Sequence, residues 1–426
     1  MTDQTGNKIE DMLGRTGVIP REEAQKVFLR NFEVPKLREE EMDVSASMGR
    51  ILSAEVRSPV DLPDFAKSTM DGYAVRAVDT FGAAETLPAY LNLAGEVFMG
   101  TRAEMVVHPQ EAVKIATGGM LPVGADAVVM LEHASAVDEK MIEVSRPVAP
   151  GENVIQTGED IRQNRAVFQP GHRIRPQDIG ALCGIGVTRV MVYQRPRVAV
   201  IPTGNEIIPP DEAPAPGQVR DINSYHLSAL VLQHGGVPVR FGIVPDEEDR
   251  LKEAVLKAVQ ETDLVLLSGG SSVGARDLTA RVIMELGRPG ILVHGVAVKP
   301  GKPTLCAIVN RKPVIGLPGH PAAVAIGFEL FVRPVLRLLS GEAVPIWEQF
   351  TGCTVRARIT RSLASRPGRE DYIRVALESS DGMLRARPIL GKSGLISTLV
   401  EASGTVVIPE NKLGLEKDEE VEVRIF

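Results

Sequence analysis

"LVLLSGGSSVG", residues 264–274, is an apolar run that passes straight into three glycines and three serines. Four aliphatic residues in a row fit a strand of a parallel sheet that is covered on both faces. The small residues after it leave bare backbone at the strand's carboxyl end. Such backbone either presents a nucleophile or cradles an anion. Asp277 follows three residues later and is placed to cap a helix over "DLTARVIMELG", with Leu278, Val282 and Leu286 on one face.

The flanking text repeats this alternation. "RVAVIPTG" reads as a strand, and "NSYHLSALVLQHGG" as a helix capped by Asn223 with Gly235 just past its end. "VPVRFGIV" is a strand, "EEDRLKEAVLKAVQE" a helix and "DLVLLSGG" a strand. Strands follow at "ILVHGVAV", "TLCAIV" and "PVIGLPG", and a helix from about residue 321. Strands alternating with helices mean βαβ units and a largely parallel sheet.

Farther out the period changes. "PREEAQKVFLRNFE" places Ala24, Val27 and Phe28 at helical spacing, and the ~17 residues before it read as frayed. Residues 85–150 hold short alternating runs ("AVKIA", "ADAVVML", "MIEVS") between glycine and proline, a β-rich insertion. "GEDIRQNRAVFQPGHRIRPQDIGALCGIG" returns to mixed α and β. Beyond residue 345, "CTVRARIT", "DYIRVAL", "MLRARPI", "TVVIP" and "EVEVRIF" have period two, a small β sandwich or barrel. The expected fold is a multidomain α/β protein: a mixed N-terminal domain (18–55 with 159–193), a β-rich insertion (56–158), a parallel-sheet α/β module (194–344) and a C-terminal barrel-like β domain (345–426).

The totals narrow the function. The chain has 426 residues and a net charge of −7, which argues against nucleic acid or an anionic membrane as its main partner. Any anionic ligand must be met by local groups. Three scattered cysteines without a CxxC pair indicate neither a disulfide framework nor a zinc knuckle. No apolar run reaches the ~20 residues that span a bilayer, and the N-terminus lacks a secretory core, so a cytoplasmic protein is expected.

If the strands are parallel, three loops leave one edge of the sheet: "PTGNE" (202–206), "SGGSSVGARD" (268–277) and "LPGHP" (317–321), with "KPGKP" (299–303) nearby. Ligands of open α/β sheets sit at that edge. Backbone N–H groups and small residues there suit a phosphate-bearing ligand with a divalent metal. The contact candidates are Thr203, Gly204, Ser268, Gly269, Gly270, Ser271, Ser272, Gly274, Lys302, Pro318, Gly319 and His320. Asp71, Asp160, Glu206, Asp246 and Asp277 each stand beside turn glycines or prolines, where for any single one a cap or solvated loop role is the more ordinary reading, and local text leaves their convergence open.

"GSSVG" (270–274) also matches G-x-S-x-G, the nucleophile elbow of α/β-hydrolases. That motif needs a helix directly after its serine, whereas Asp277 caps five residues after Ser272. Walker A and G-x-G-x-x-G are both absent. His294 reads as a strand residue rather than a ligand.

Eight longer stretches then carry a resemblance. "PDFAKSTMDGYAVR", "ATGGMLPVGADAVV", "TGEDI", "PTGNEI", "DINS", "SGGSSVGARD", "VKPGKP" and "GLPGHP" occur in this order, followed by "SGLISTLVEASGTVVIP" at 393–409. Together they resemble the molybdopterin molybdotransferase family, bacterial MoeA and the C-terminal part of gephyrin. The resemblance implies a homodimer of four-domain subunits. It implies a reaction in which adenylylated molybdopterin accepts molybdate, with release of AMP and molybdenum cofactor, and magnesium as the metal. By motif, the functional carboxylates would be Asp71, Asp160, Glu206, Asp246 and Asp277, with Glu206 and Asp277 on the metal, and Lys299 the functional lysine. Asp71 would reach the cleft from another domain or from the partner subunit. An adenylyltransferase would supply the substrate and acceptor apoenzymes would take the product. A non-catalytic molybdopterin carrier or scaffold is the alternative, and the adenylyltransferase step itself a third reading.

Three positions depart from the family: Gly295 where a lysine is common, His320 for an asparagine and Ser271 for a valine. The lost lysine removes a charge from the oxyanion's surroundings and opens the choice between molybdate and tungstate.

Overall fold

A computed structural model describes residues 17–269, 273–343, 354–380 and 382–426, the side chains of 273–277 excepted. The chain divides into two compact units, one of the residues up to Glu40 with Tyr193–Phe426, the other Glu41–Val192.

The first unit opens with helix α1 (Arg21–Arg30), which has Glu22 and Glu23 in its first turn and buries Ala24 and Phe28. Its α/β module then alternates as the sequence suggests. Strand β1 (Arg197–Thr203) precedes α2 (Asn223–Gln233), β2 (Val237–Arg240) and α3 (Glu248–Glu261). Strand β3 (Leu264–Gly269), α4 (Val273–Leu286), β4 (Gly290–His294), β5 (Leu305–Val309), β6 (Lys312–Leu317) and α5 (Pro321–Gly327) follow. The sheet order is β2-β1-β3-β6-β5-β4. The first four strands are parallel, and β5 alone is reversed, pairing antiparallel with β6 on one side and with β4 on the other.

Alternate residues of one strand serve opposite faces. Val198, Val200, Leu264 and Leu266 join Phe28, Leu227 and Val231 in one core. Ala199, Ile201, Val265 and Leu267 join Leu251, Val255, Val282 and Ile283 in the other. Helices on both faces explain why β3 is an unbroken apolar run rather than an alternating one.

Three local readings are corrected. The cap of α2 comes from Asp221, whose Oδ1 accepts from Ser224 N at 3.0 Å, and Asn223 is the first helical residue. Helix α4 starts at Val273, so Asp277 is its fifth residue and not its cap. Only three residues separate β3 from α4, and the glycine-serine stretch leads directly into the helix. "ILVHGVAV" is two strands: β4 ends at His294, Gly295 turns with φ +101°, and Val298–Lys299 pairs elsewhere.

After the module, β7 (Thr354–Ile359), β8 (Glu370–Ser380), β9 (Met383–Pro388), β10 (Gly404–Ile408) and β11 (Glu420–Ile425) close a five-stranded ring, β8-β9-β7-β11-β10 and back to β8. The choice between sandwich and barrel thus falls to a barrel. Ala357, Ile359, Val375, Ala386, Val406, Val421 and Val423 fill it.

The second unit holds a six-stranded sheet in the order Ala127–Met130, Gly72–Val75, Glu111–Ile115, Ala89–Val97, Met141–Val144, Ala134–Ala136. The three alternating runs read as strands are strands. Helix Pro176–Gly184 lies near the unit's end, and its N-cap backbone donates to Asp178 Oδ2 at 2.8 Å. Cys183 and Cys306 are free thiols, and no described helix is long and apolar enough to cross a membrane. Residues 1–16 and the 344/345 boundary lie outside the described residues.

Candidate functional site

The parallel register brings the strand ends together. Thr203 pairs with Gly269 and Ser268 with Leu317, so the loops after β1, β3 and β6 leave one edge, as read from the sequence. At this edge β1 and β3 are in close contact. Gly269 has φ +151°, and a Cβ on it would overlap the carbonyl oxygen and Oγ1 of Thr203. Ser268 is fully buried, with an Oγ that has no partner among the described residues.

A cavity of about 200 Å³ opens at this edge, lined by Thr203, Gly269, Thr279, His294, Gly319 and His320 among others. A larger cleft of about 830 Å³ lies alongside it. Two lysines of the module, Lys299 and Lys302, line this cleft, and so do Arg366, Arg369, Arg374 and Lys392 of the barrel region. None of the described lining residues of either space is Asp or Glu. In a chain of net charge −7, a cleft with six lysine and arginine side chains and no carboxylate is a local reversal of the overall field. It concentrates anions.

A carboxylate under the cleft arranges two of these cations. Asp371 is 1% exposed, accepts from Arg369 Nε at 2.7 Å and lies 3.9 Å from Lys299 Nζ. Lys299 is placed by the short strand Val298–Lys299, which pairs in parallel with Glu370–Asp371 at the start of β8.

Glu206 and Asp246 form a second feature. Glu206 folds back over Gly204, its Oε2 standing 2.6 Å from where a Cβ on that glycine would be. Asp246 N donates to Asn205 Oδ1 at 3.1 Å. Burial and then the negative charge of Glu206 raise the Asp246 carboxyl above the ordinary carboxylate range. A hard divalent cation would relieve such a like-charge pair. Magnesium keeps several waters and takes one or two carboxylates beside phosphate oxygens, so the pair fits it. No group of three or more potential ligands occurs among the described residues, and the Asp277 side chain lies outside them.

The raised Asp246 carboxyl contributes stability that is present at low pH and is lost as pH rises through its folded value. At neutral pH the charged form therefore costs stability. Asp246→Asn, melted in metal-free buffer, is expected to unfold at a higher temperature than the parent at pH 7, and the gain should vanish near pH 4. A gain of equal size at both pH values would contradict the like-charge account.

The remaining candidates are distributed. Asp71 and Asp160 belong to the second unit, whereas Glu206, Asp246, Asp277 and Lys299 belong to the first. Asp71 Oδ1 accepts from Thr117 N at 2.7 Å and Thr117 Oγ1 at 2.9 Å, and these bonds hold its carboxyl below the ordinary range. Asp160 N donates to Leu62 O at 3.1 Å, and its side chain is exposed. Lys302, Pro318 and Gly319 line one or both spaces. Gly270, Ser271 and Ser272 lie outside the described residues, and Gly274 is known only as backbone of α4. Because α4 follows Ser272 directly, a late helix start no longer counts against the nucleophile-elbow reading.

Sequence reasoning missed Arg366, Arg369, Arg374 and Lys392, which are indistinguishable in the text from other basic residues of a surface β domain. It also misassigned Asn223. Its Nδ2 donates to Gly319 O at 2.8 Å and so holds the "LPGHP" loop.

Glycine-rich strand ends that open onto a cationic cleft define an α/β protein whose site suits a phosphorylated anion. Comparison with known proteins narrows this class. Three family models match in succession: the MoeA N-terminal region (domain I and II) over residues 19–186, a probable molybdopterin binding domain over 199–338, and the MoeA C-terminal region (domain IV) over 356–426. A protein of Methanocaldococcus jannaschii, provisionally named for molybdopterin biosynthesis, is 36% identical over 96% of this chain and 98% of its own. A molybdopterin molybdenumtransferase of Nostoc is 35% identical over 88% of this chain and 87% of its own. A crystal structure of the MoeA molybdopterin biosynthesis protein of Pyrococcus horikoshii superposes with a TM-score of 0.78 at 38% identity, over 96% of this chain and 99% of that one. The chain belongs to the MoeA family of molybdopterin molybdotransferases. That membership, and not the position of α4, sets the hydrolase reading aside.

Proposed function

We propose that the protein is a molybdopterin molybdotransferase, which takes adenylylated molybdopterin and molybdate and releases AMP and molybdenum cofactor. The observation that carries this reading is the carboxylate-free cationic cleft that adjoins the glycine-rich strand ends, in a chain aligned almost end to end with named molybdenumtransferases. Cleavage of a pyrophosphate is mostly positioning and charge neutralisation. Lys299 and Lys302 neutralise the phosphates and the oxyanion. Backbone N–H groups after β3 and β6 orient the phosphates. Arg366, Arg369 and Lys392 hold the anionic end of the substrate against the barrel. Glu206 and Asp246 or Asp277 would hold magnesium, which when bound would supply further charge neutralisation for the phosphates.

Reactivation of a molybdenum-free acceptor apoenzyme tests the reading. Molybdate, adenylylated molybdopterin and this protein together should restore activity, and omission of the protein should not. Tungstate in place of molybdate gives the oxyanion preference. A scaffold would bind the precursor and restore nothing. An adenylyltransferase would make the precursor from ATP, and the named relatives, which align over the flanking regions too, speak for the later step.

The active protein is a cytoplasmic homodimer in this reading. Sedimentation at micromolar concentration should give about twice 45.9 kDa. A fully active monomer would exclude a shared site.

A further inference from the structure

Three residues line both the small cavity and the large cleft: Pro303, Pro318 and His320. Of these, only the imidazole can donate a side-chain hydrogen bond or carry a charge. The ring stands at the junction on a fixed support. His320 Nδ1 lies 2.8 Å from Ser393 Oγ. Its own carbonyl accepts from Val324 N at 3.0 Å, and Asn223 holds the preceding Gly319. The Ser393 loop is fixed in turn, because Ser393 O accepts from Ala322 N at 3.1 Å. When the serine hydroxyl donates to Nδ1, the proton of the neutral ring sits on Nε2. No described residue is hydrogen-bonded to Nε2, which remains a donor for something else.

We propose that His320 is an anion-contacting specificity residue of the cleft. Its Nε2–H meets the oxyanion or phosphate that spans the two spaces, and protonation of the ring adds a positive charge at that point. This rests on the reading of the cleft as the substrate site. The charged residues that line the large cleft with His320 are Lys299 and Lys302 from the module and Arg366, Arg369, Arg374 and Lys392 from the barrel region. His294 lines the small cavity but not the large cleft.

Calorimetric binding of molybdate, and separately of sulfate, to the full chain at pH 6 and pH 8 tests the proposal. Both probes are dianions throughout, so a change in affinity reports the protein. The parent protein is expected to bind roughly five-fold more weakly at pH 8. His320→Asn keeps a hydrogen-bond donor and loses the charge, and its affinity should change less than about two-fold over the same range. His294→Asn should keep the parent's pH dependence. His320 is exposed, so its replacement should leave the melting temperature unchanged. A His320→Asn protein with the parent's pH dependence, or a parent with none, overturns the proposal. Binding needs no turnover. A chain that shows this pH dependence but releases no AMP from adenylylated molybdopterin would leave His320 its role and remove the proposed activity.

Discussion

Lys299→Ala is expected to abolish molybdate-dependent AMP release while the adenylylated precursor still binds within a few-fold of the parent affinity. Molybdate and the pyrophosphate are both negative, and like charges a few Å apart repel by several kcal/mol, of the order of 4 kcal/mol, at intermediate dielectric. Lys299 lies in the cleft where that repulsion must be met, and Asp371 holds it there from below. Gly295 supplies no second lysine, so Lys299 carries more of this load than in relatives that have both. Adding the missing lysine at 295 is a poor converse test. Gly295 has φ +101°, which favours glycine, so Gly295→Lys would strain the turn that leads to Lys299. Equilibrium binding and turnover of Lys299→Ala decide the matter. If the dependence on molybdate is unchanged, the oxyanion is held elsewhere in the cleft.

The second large effect comes from one methyl group. Gly269→Ala is expected to lower stability by about 2–4 kcal/mol and to reduce turnover by more than ten-fold in whatever protein folds. The added Cβ collides with the backbone carbonyl of Thr203, which cannot swing away as a side-chain end would, and φ +151° is unfavourable for alanine. Either β3 separates from β1 at its last pair or the loop after it is displaced, and both alter the edge proposed to bind the phosphates. Urea unfolding measures the first loss and turnover at saturating precursor the second. A fully stable, fully active Gly269→Ala protein would show that this close approach is not needed.

What the sequence made legible follows from periodicity. Apart from "ILVHGVAV", which Gly295 divides into two strands, the expected strands of the α/β module and all five barrel strands are found where alternation or an unbroken apolar run places them, because covered parallel strands and half-buried antiparallel strands leave different periods. Helix starts were harder. Asn223 and Asp277 are both acceptable caps by residue type, yet the cap of α2 is two residues earlier and α4 begins four residues earlier. Side-chain chemistry alone does not say which residue is still extended.

The site was legible where glycine and proline mark strand ends, as at Thr203, Gly269, Pro318 and Gly319, whose assembly follows from parallel register. The barrel's share was not. Arg366, Arg369 and Lys392 sit in ordinary loop text, and only the tertiary fold brings them to Lys299. Local text left the convergence of the five carboxylates open, and Asp71 and Asp160 belong to the second unit.

The most direct measurement is AMP release from purified adenylylated molybdopterin with and without molybdate. Multiple turnovers that require molybdate, fall with Lys299→Ala and leave a product able to activate a molybdenum-free apoenzyme are the expected result. Tight binding of the precursor with no AMP released at any molybdate concentration would contradict the assignment, and the protein would then be a carrier.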